Sequence, residues 1–186
     1  MSSLPHYFFG ISVAEHIQSW LSNWQDELRG QVAYKTWTNP KDLHITLKFL
    51  GATPSEKIEA LSSHLYVKEY VPFQLEIGDL GFFGKRTQPR VMWAEVKKTD
   101  TLQMLYNIIE ETAFQHSFSK ENRPYTPHIT LAKKWSDDQL HIDPNNMKAF
   151  IPEMNKQRMQ VEQFHLYRIF PSRQVKYEPV HTFKLK

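Results

Sequence analysis

The sequence contains no cysteine among its 186 residues. Disulfide bridges, thiolate zinc sites and a cysteine nucleophile are therefore excluded together. No apolar run approaches the roughly 18 residues that a membrane-spanning helix needs. The N-terminal segment has neither the basic region nor the apolar stretch of a signal peptide. We therefore expect a soluble cytoplasmic protein that does not associate with a membrane.

Two further kinds of site are missing from the sequence. The six glycines are scattered, so no glycine-rich loop could cradle a phosphate, and the nine histidines show no His-Glu-x-x-His pattern. We expect neither a metal nor a cofactor. The formal net charge of +3 is compatible with a polyanionic ligand, but so small an excess is often only a solubility feature.

What the sequence does contain is a repeated tetrapeptide. The same four residues occur as His44-Ile45-Thr46-Leu47 and as His128-Ile129-Thr130-Leu131. At ordinary residue frequencies such a repeat arises by chance on the order of one time in a hundred. Side chains alternate between the two faces of a strand, so each copy sets a histidine beside a threonine on one face and two aliphatic residues on the other.

Hydrophobic periodicity places the two copies in corresponding elements. A strand at 6–13, a helix and the motif strand at 43–50 are followed by a strand at 90–97, a helix and the motif strand at 127–133. This order predicts an α+β fold with two pseudo-symmetric lobes of antiparallel sheet, helices packed outside and a central catalytic groove. No flexible linker divides the chain, so we expect residues 1–186 to form a single bilobal domain.

Three local patterns give more detailed expectations. The segment Thr53-Pro54-Ser55-Glu56 has the form of a capping box with proline at the first helical position. Residues 78–87 have the composition of a loop, and residues 159–170 read as one strand.

Two histidines near pKa 6.5 can hold complementary protonation states, so that one accepts a proton from water and the other donates one to a leaving oxygen. Threonine hydroxyls can donate hydrogen bonds to phosphate oxygens. This set suits a phosphodiester whose leaving group stays on the same sugar, and both assignments of acid and base remain open. A single His-x-Thr pair on a half-buried strand is more often structural, but duplication in corresponding elements favours catalysis.

Other side chains could contribute to such a site. Lys48 lies two residues further along the face that carries His44 and Thr46. Further cations occur at Lys85, Arg86, Arg90, Lys133 and Lys134. Strict alternation puts Lys133 on the wrong face of its strand unless a bulge or the strand end intervenes. Three aromatic residues in or beside loops could stack on a base or could simply fill the core: Trp37, Phe82 and Phe83.

The flanks of both motifs resemble a known family. The resemblance rests on residues 6–11, 43–51, 89–93 and 125–133, and the segments 164–167 and 177–179 are also similar. The chain is similar to the 2H phosphoesterase superfamily, named for its two His-x-Thr/Ser-x motifs. It most resembles the bacterial RNA 2′,3′-cyclic phosphodiesterase branch, historically called 2′-5′ RNA ligase.

The resemblance implies a two-lobed α+β fold and a metal-independent reaction that opens a 2′,3′-cyclic phosphate at an RNA end to leave a 2′-phosphate. His44 and His128 would be the acid–base pair, and Thr46 and Thr130 would bind the phosphate. Lys133 stands where the family often has arginine, which favours a point-charge contact over a bidentate one.

Arg90 also matches a family position and would be a further phosphate-binding residue. The expected partner is RNA with a cyclic phosphate end, bound by a monomer. Two alternatives stay open: a phosphodiesterase for a small cyclic nucleotide or cyclic-phosphate metabolite, and a non-catalytic module that binds RNA ends.

Overall fold

The computed structural model describes residues 4–67, 70–151 and 155–186. Within these ranges the chain forms an antiparallel sheet with helices packed on one face. The strands are β1 (His6–Ser12), β2 (Tyr34–Trp37), β3 (His44–Ala52), β4 (Phe73–Gly84), β5 (Pro89–Val96), β6 (His128–Trp135), β7 (Gln157–Val161), β8 (Gln163–Ile169) and β9 (Tyr177–Lys184). The helices are α1 (Glu15–Leu28), α2 (Ser55–His64), α3 (Asp100–Gln115) and the short α4 (Pro144–Met147), with 3₁₀ turns at Pro40–Asp42 and Lys148–Phe150.

The sheet order β7-β4-β5-β6-β3-β1-β8-β9 places the two motif strands, β3 and β6, at the centre. Each motif strand begins an antiparallel half-sheet of four strands, and the short β2 joins β6 from the side. The path β1-α1-β3 in one half corresponds to β5-α3-β6 in the other. The predicted α+β fold with duplicated antiparallel halves is thus confirmed.

A continuous apolar core lies between the sheet and the helices. The aliphatic residues of both motifs are fully buried in it, together with the stripe Ile17, Leu21 and Leu28 of α1. The helices also bind the halves to each other, since α1 packs against β6 and α3 packs against β3. None of the helices in the described ranges is long and apolar enough to cross a membrane.

The loop predicted at residues 78–87 is wrong, because β4 continues to Gly84. The composition of the segment suggested a loop, but Phe82 and Phe83 pair with Met92 and Val91 of β5. These aromatic and aliphatic cross-strand pairs stabilise the longer hairpin. Only residues 85–88 form its tip.

The capping box is also wrong. Helix α2 begins at Ser55 with Pro54 as its N-cap, one residue later than the pattern suggests. The hydroxyl of Thr53 donates instead to the carbonyl oxygens of Leu50 and Gly51, at 3.2 and 3.3 Å. Threonine hydroxyls readily make such local bonds to preceding carbonyls, which here close the turn after β3.

The single strand predicted at 159–170 is two strands that separate at residue 162. Strand β7 pairs with β4 at one edge of the sheet, whereas β8 pairs with β1 in the opposite half. Alternation of side chains looks the same in both segments, so the sequence pattern does not reveal that the chain crosses the sheet between them.

A close contact in the second half-sheet depends on a glycine. Gly81 of β4 lies directly opposite Trp93 of β5. A Cβ atom at residue 81 would lie 2.3 Å from the Cη2 and Cζ2 atoms of the indole ring. The indole ring of Trp93 therefore packs directly on the backbone of β4. This contact is possible only because residue 81 is a glycine.

Replacing Gly81 by alanine should therefore destabilise the protein. We expect Gly81→Ala to lower the free energy of unfolding by about 1–3 kcal/mol, because the Trp93 ring must move. Urea unfolding followed by tryptophan fluorescence measures the change. The matched control is Gly30→Ala, since a Cβ there meets no atom of the described residues within 4 Å. Equal stability of the two variants would contradict the packing described.

Candidate active site

The two motifs face each other across the centre of the sheet. Strands β3 and β6 are antiparallel, and Ile45 lies opposite Ile129. Continuing this register by one residue in each direction sets His44 against Thr130 and Thr46 against His128. Directly opposed side chains on one face lie about 5 Å apart at Cβ. The four predicted polar residues are thus brought together in one groove, on the face that the helices leave open.

The two imidazoles are held in the same way. Nδ1 of His44 lies 2.7 Å from the carbonyl oxygen of Asp42, and Nδ1 of His128 lies 2.7 Å from that of Thr126. A carbonyl oxygen only accepts hydrogen bonds, so each Nδ1 carries the hydrogen and donates it. In the neutral ring Nε2 then carries the lone pair and can accept a hydrogen bond.

The first motif shows how its hydroxyl serves the imidazole. Oγ1 of Thr46 lies 3.0 Å from Nε2 of His44. Because Nδ1 already carries the hydrogen of the neutral ring, the threonine hydroxyl is the donor. A substrate atom that approaches Nε2 therefore also meets the hydroxyl of Thr46.

Aromatic rings surround both histidines, and sequence reasoning missed Phe8, Tyr177 and Trp93. Phe8 lies 4.6 Å from the His44 ring and Tyr177 meets it edge-on at 5.0 Å. On the other side, Phe83 meets the His128 ring edge-on at 5.0 Å and Trp93 lies 5.8 Å away. Their positions follow from strand pairing between distant segments, for which the only sequence signal was alternation within each strand.

Burial favours the neutral form of both histidines. It lowers the pKa of His44 to about 4, with the carbonyl of Asp42 opposing the shift and the nearby charges of His128 and Lys133 adding to it. Burial also lowers the pKa of His128, against the opposing bond to Thr126. In the free protein at neutral pH both rings are therefore mainly uncharged and able to accept a proton.

Matching β-bulges alter the alternation just after each motif. The pairing of β1 with β3 skips Leu47, and the pairing of β5 with β6 skips Leu131. Each extra residue turns the next side chain inward and the one after it toward the groove. The two strands consequently share one burial pattern, with inward residues at 48 and 132 and exposed residues at 49 and 133.

The bulge in β3 overturns the expectation for Lys48. Its ammonium lies in the interior, 2.8 Å from the carboxylate of Glu110 and 2.7 Å from the carbonyl oxygen of Ser119. Lys48 was expected beside His44 and Thr46, but the extra residue reverses its face. It is a buried ion-pair residue that ties β3 to α3.

The bulge in β6 has the opposite consequence for Lys133. It provides the change of face that this lysine required, and the ammonium is close enough to influence the pKa of His44. Partial burial lowers the pKa of Lys133 itself, and repulsion from Lys176 and Lys134 adds to this. Lys133 thus lies at the His44 end of the groove.

Arg90 lies farther along the neighbouring strand. The pairing of β4 with β5 skips it, so it is the extra residue of a bulge near the hairpin tip. Its side chain is exposed. Position alone places it two strands from His44, beyond Val91, which pairs with Lys133.

The three aromatic residues expected to stack on a base lie in different surroundings. Phe83 lies in the groove beside His128, whereas Phe82, its neighbour in the strand, packs against the core. Trp37 also packs against the core, with the guanidinium of Arg29 4.4 Å above its ring. The structure does not bring Phe82 or Trp37 to the histidines, because their strands direct them to the apolar interior.

Asp42 is a further residue that sequence reasoning missed. It is buried, and its carboxylate accepts hydrogen bonds from the backbone N–H groups of Lys176 at 3.0 Å and of Tyr177 at 3.1 Å. Its carbonyl oxygen holds His44. Asp42 thus fixes both His44 and the start of β9. The first residue of β9, Tyr177, packs its ring against His44.

No group of three or more metal-ligating side chains comes together in residues 4–67, 70–151 and 155–186. The groove therefore presents two imidazoles, two hydroxyls and a lysine. Such a set can exchange protons and bind an anion.

Comparison with known proteins identifies relatives of this arrangement. The family model described as the 2′-5′ RNA ligase superfamily matches residues 13–169. An RNA 2′,3′-cyclic phosphodiesterase of Bacillus subtilis (strain 168) is 35% identical over 184 residues, which cover 97% of this chain and 97% of the relative. A protein of the same name from Geobacillus stearothermophilus is 31% identical over 97% of this chain, which spans 57% of that longer relative.

Solved structures agree with the fold. The crystal structure of E. coli LigT complexed with 3′-AMP superposes with a TM-score of 0.78 at 25% identity, covering 98% of this chain and 99% of that one. The protein TT0787 of Thermus thermophilus superposes with a TM-score of 0.74 at 23% identity, covering 96% and 97%. The family match spans both motifs and most of the sheet, and the resemblance seen in the sequence is confirmed: the chain belongs to the 2′-5′ RNA ligase superfamily.

Proposed function

We propose that this protein hydrolyses the 2′,3′-cyclic phosphate at an RNA end to a 2′-phosphomonoester. The observation that carries the proposal is the antiparallel register at Ile45 and Ile129, which sets the two His-Thr pairs around one small groove. Support comes from the curated relatives, which are named RNA 2′,3′-cyclic phosphodiesterases, and from the LigT crystal structure with bound 3′-AMP.

The chemistry needs one histidine as base and the other as acid. The base, through Nε2, takes a proton from a water molecule as the water oxygen attacks phosphorus. The bond from phosphorus to the 3′ oxygen breaks, and the acid gives its proton to that oxygen. The phosphate stays on the 2′ oxygen. Such proton transfers contribute typically about 10²–10⁴-fold in rate.

The remaining groups bind the phosphate. The hydroxyls of Thr46 and Thr130 donate hydrogen bonds to its non-bridging oxygens, and Lys133 supplies a positive charge at the His44 end. Arg90 adds a further cation if its exposed side chain folds over the groove when substrate binds. Phe83, beside His128, offers a ring on which the terminal base can stack.

The substrate itself completes the protonation state. Burial keeps both imidazoles neutral in the free protein, but a bound phosphate anion favours the charged form of a neighbouring histidine. One ring is therefore protonated when substrate is present, and the reaction requires no metal. The protein is proposed to act as a monomer, since both motifs come from one chain.

Removing either imidazole should abolish turnover. We expect His44→Ala and His128→Ala each to lower kcat by about 10²–10⁴-fold on an RNA oligonucleotide with a 2′,3′-cyclic end, in a buffer with chelator. The surface variant His141→Ala is the control. Product analysis should show a 2′-phosphate. Near-normal rates in either motif variant, or inactivation of the unmodified protein by the chelator, would contradict the mechanism.

The threonines should act through their hydroxyls alone. We expect Thr46→Val and Thr130→Val, which keep the side-chain shape, to lower kcat/KM by about tenfold, because a hydrogen bond to a charged group is lost. The variants Thr46→Ser and Thr130→Ser keep the hydroxyl and should retain most activity. If serine and valine variants were equally impaired, the hydroxyls would not be the functional groups.

The pH dependence should follow the buried histidines. The rate falls at low pH when the base becomes protonated and at high pH when the acid loses its proton. Because burial lowers both pKa values below 6.5, kcat/KM, which reports the free enzyme, should peak on the acid side of 6.5. The kcat profile should lie at higher pH, since bound phosphate raises the histidine pKa values. Coincident profiles centred above pH 7 would refute this account.

A further inference from the structure

Three lysines gather at the His44 end of the groove. Partial burial lowers the pKa of Lys133, and the charges of Lys176 and Lys134 lower it further. None of the three forms an ion pair with a carboxylate in the part of the chain that the structure describes. The positive charge of this cluster is therefore not neutralised by an ion pair with a described carboxylate.

The cluster is assembled from two distant segments by specific contacts. The β6 bulge turns Lys133 toward the groove, and Lys134 follows with a left-handed backbone, at φ 67°. Lys176 comes from the β8–β9 hairpin. Its backbone N–H donates to both carboxylate oxygens of Asp42 at 3.0 Å, which holds the hairpin against the turn that precedes His44.

A second contact secures the same hairpin. The side-chain amide of Asn39 donates to the carbonyl oxygen of Gln174 at 3.5 Å. Next along the chain, Tyr177 packs edge-on against His44 at 5.0 Å. The backbone of Lys176 is thus fixed beside the groove, while its ammonium meets no carboxylate among the described residues.

The pseudo-symmetry of the fold shows that Lys133 has no lysine counterpart at the corresponding position of β3. The residue of β3 that corresponds to Lys133 is Phe49, because both follow the same bulge, and it is 60% exposed. The half that carries His44 thus has an apolar ring at the position where the half that carries His128 has Lys133.

The charge also exceeds what the reaction needs. A 2′,3′-cyclic phosphate is a diester with a single negative charge, which Lys133 can match. Holding additional like charges together without counterions is unfavourable unless a ligand brings a further anion. In a nucleotide, the next anion lies on the 5′ oxygen of the same sugar.

We propose that Lys176, with Lys134, forms a second phosphate subsite that takes the phosphate on the 5′ oxygen of the terminal nucleoside. The inference rests on the proposed function, because it assumes that the cyclic phosphate lies between the histidines. It identifies the preferred substrate as one with a 5′-linked phosphate, and hence an RNA strand over a bare nucleoside cyclic phosphate.

Three substrates test the subsite. A dinucleotide with a 2′,3′-cyclic end carries the second phosphate as a diester, a 5′-phosphorylated nucleoside 2′,3′-cyclic phosphate carries it as a monoester, and a nucleoside 2′,3′-cyclic phosphate lacks it. We expect Lys176→Ala to lower kcat/KM by about tenfold on the first two, by the loss of one charge-assisted contact, and by less than about twofold on the third.

Two controls sharpen the result. Lys184→Ala removes an exposed lysine from the far end of the same strand and should leave all three rates unchanged. For the dinucleotide, the plot of log kcat/KM against log salt concentration should become shallower by about 0.7 in Lys176→Ala, as expected for one lost phosphate contact.

The outcomes separate the two proposals. Loss on the dinucleotide but not on the 5′-phosphorylated nucleoside would restrict the subsite to an internal diester of RNA. Equal loss on all three substrates would assign Lys176 to the cyclic phosphate, and no loss on any would remove its role, so either result overturns the subsite. If the unmodified protein opened none of the three rings, the proposed function itself would fail.

Discussion

The site depends on one antiparallel contact, the pairing of Ile45 with Ile129 where β3 meets β6. Each half-sheet carries only one of the two His-Thr pairs, so neither forms the groove alone. Two side chains from other elements reinforce this contact. The buried side chain of Gln25 in α1 donates to the carbonyl oxygens of Leu131 in β6 and of Thr38. The hydroxyl of Tyr125, which precedes β6, donates to the carbonyl oxygen of Thr46 in β3.

Two bulges convert a symmetric scaffold into an asymmetric site. The backbone treats both motif strands alike, with an extra residue at each leucine and the same sequence of inward and outward positions. The chemistry differs only in the side chains that occupy those positions. The inward pair is Lys48 and Ala132, and the outward pair is Phe49 and Lys133. A buried ion pair therefore braces one half, and the cations collect at a single end of the groove.

The histidines combine fixed orientation with an adaptable charge. A carbonyl two residues earlier fixes each ring and its tautomer, so Nε2 faces the groove in both halves. Aromatic neighbours and burial keep the rings neutral in the absence of an anion. An anion bound beside these rings would favour their charged form, so the protonation state depends on what the groove holds.

The sequence by itself determined the local chemistry. The repeated His-Ile-Thr-Leu, read with a period of two, was enough to pair each imidazole with its hydroxyl and to predict the duplicated α+β plan, because alternation and helix periodicity are properties of adjacent residues. Only the tertiary structure decided the rest. A one-residue bulge sent Lys48 inward and Lys133 outward, and strand pairing separated Phe83 from Phe82 and Trp37. Hydrogen bonds to Asp42 hold Lys176, which is distant in the sequence, near His44. Register, bulges and contacts between distant strands are set by packing across the whole sheet, which leaves no periodic trace in the segments that it joins.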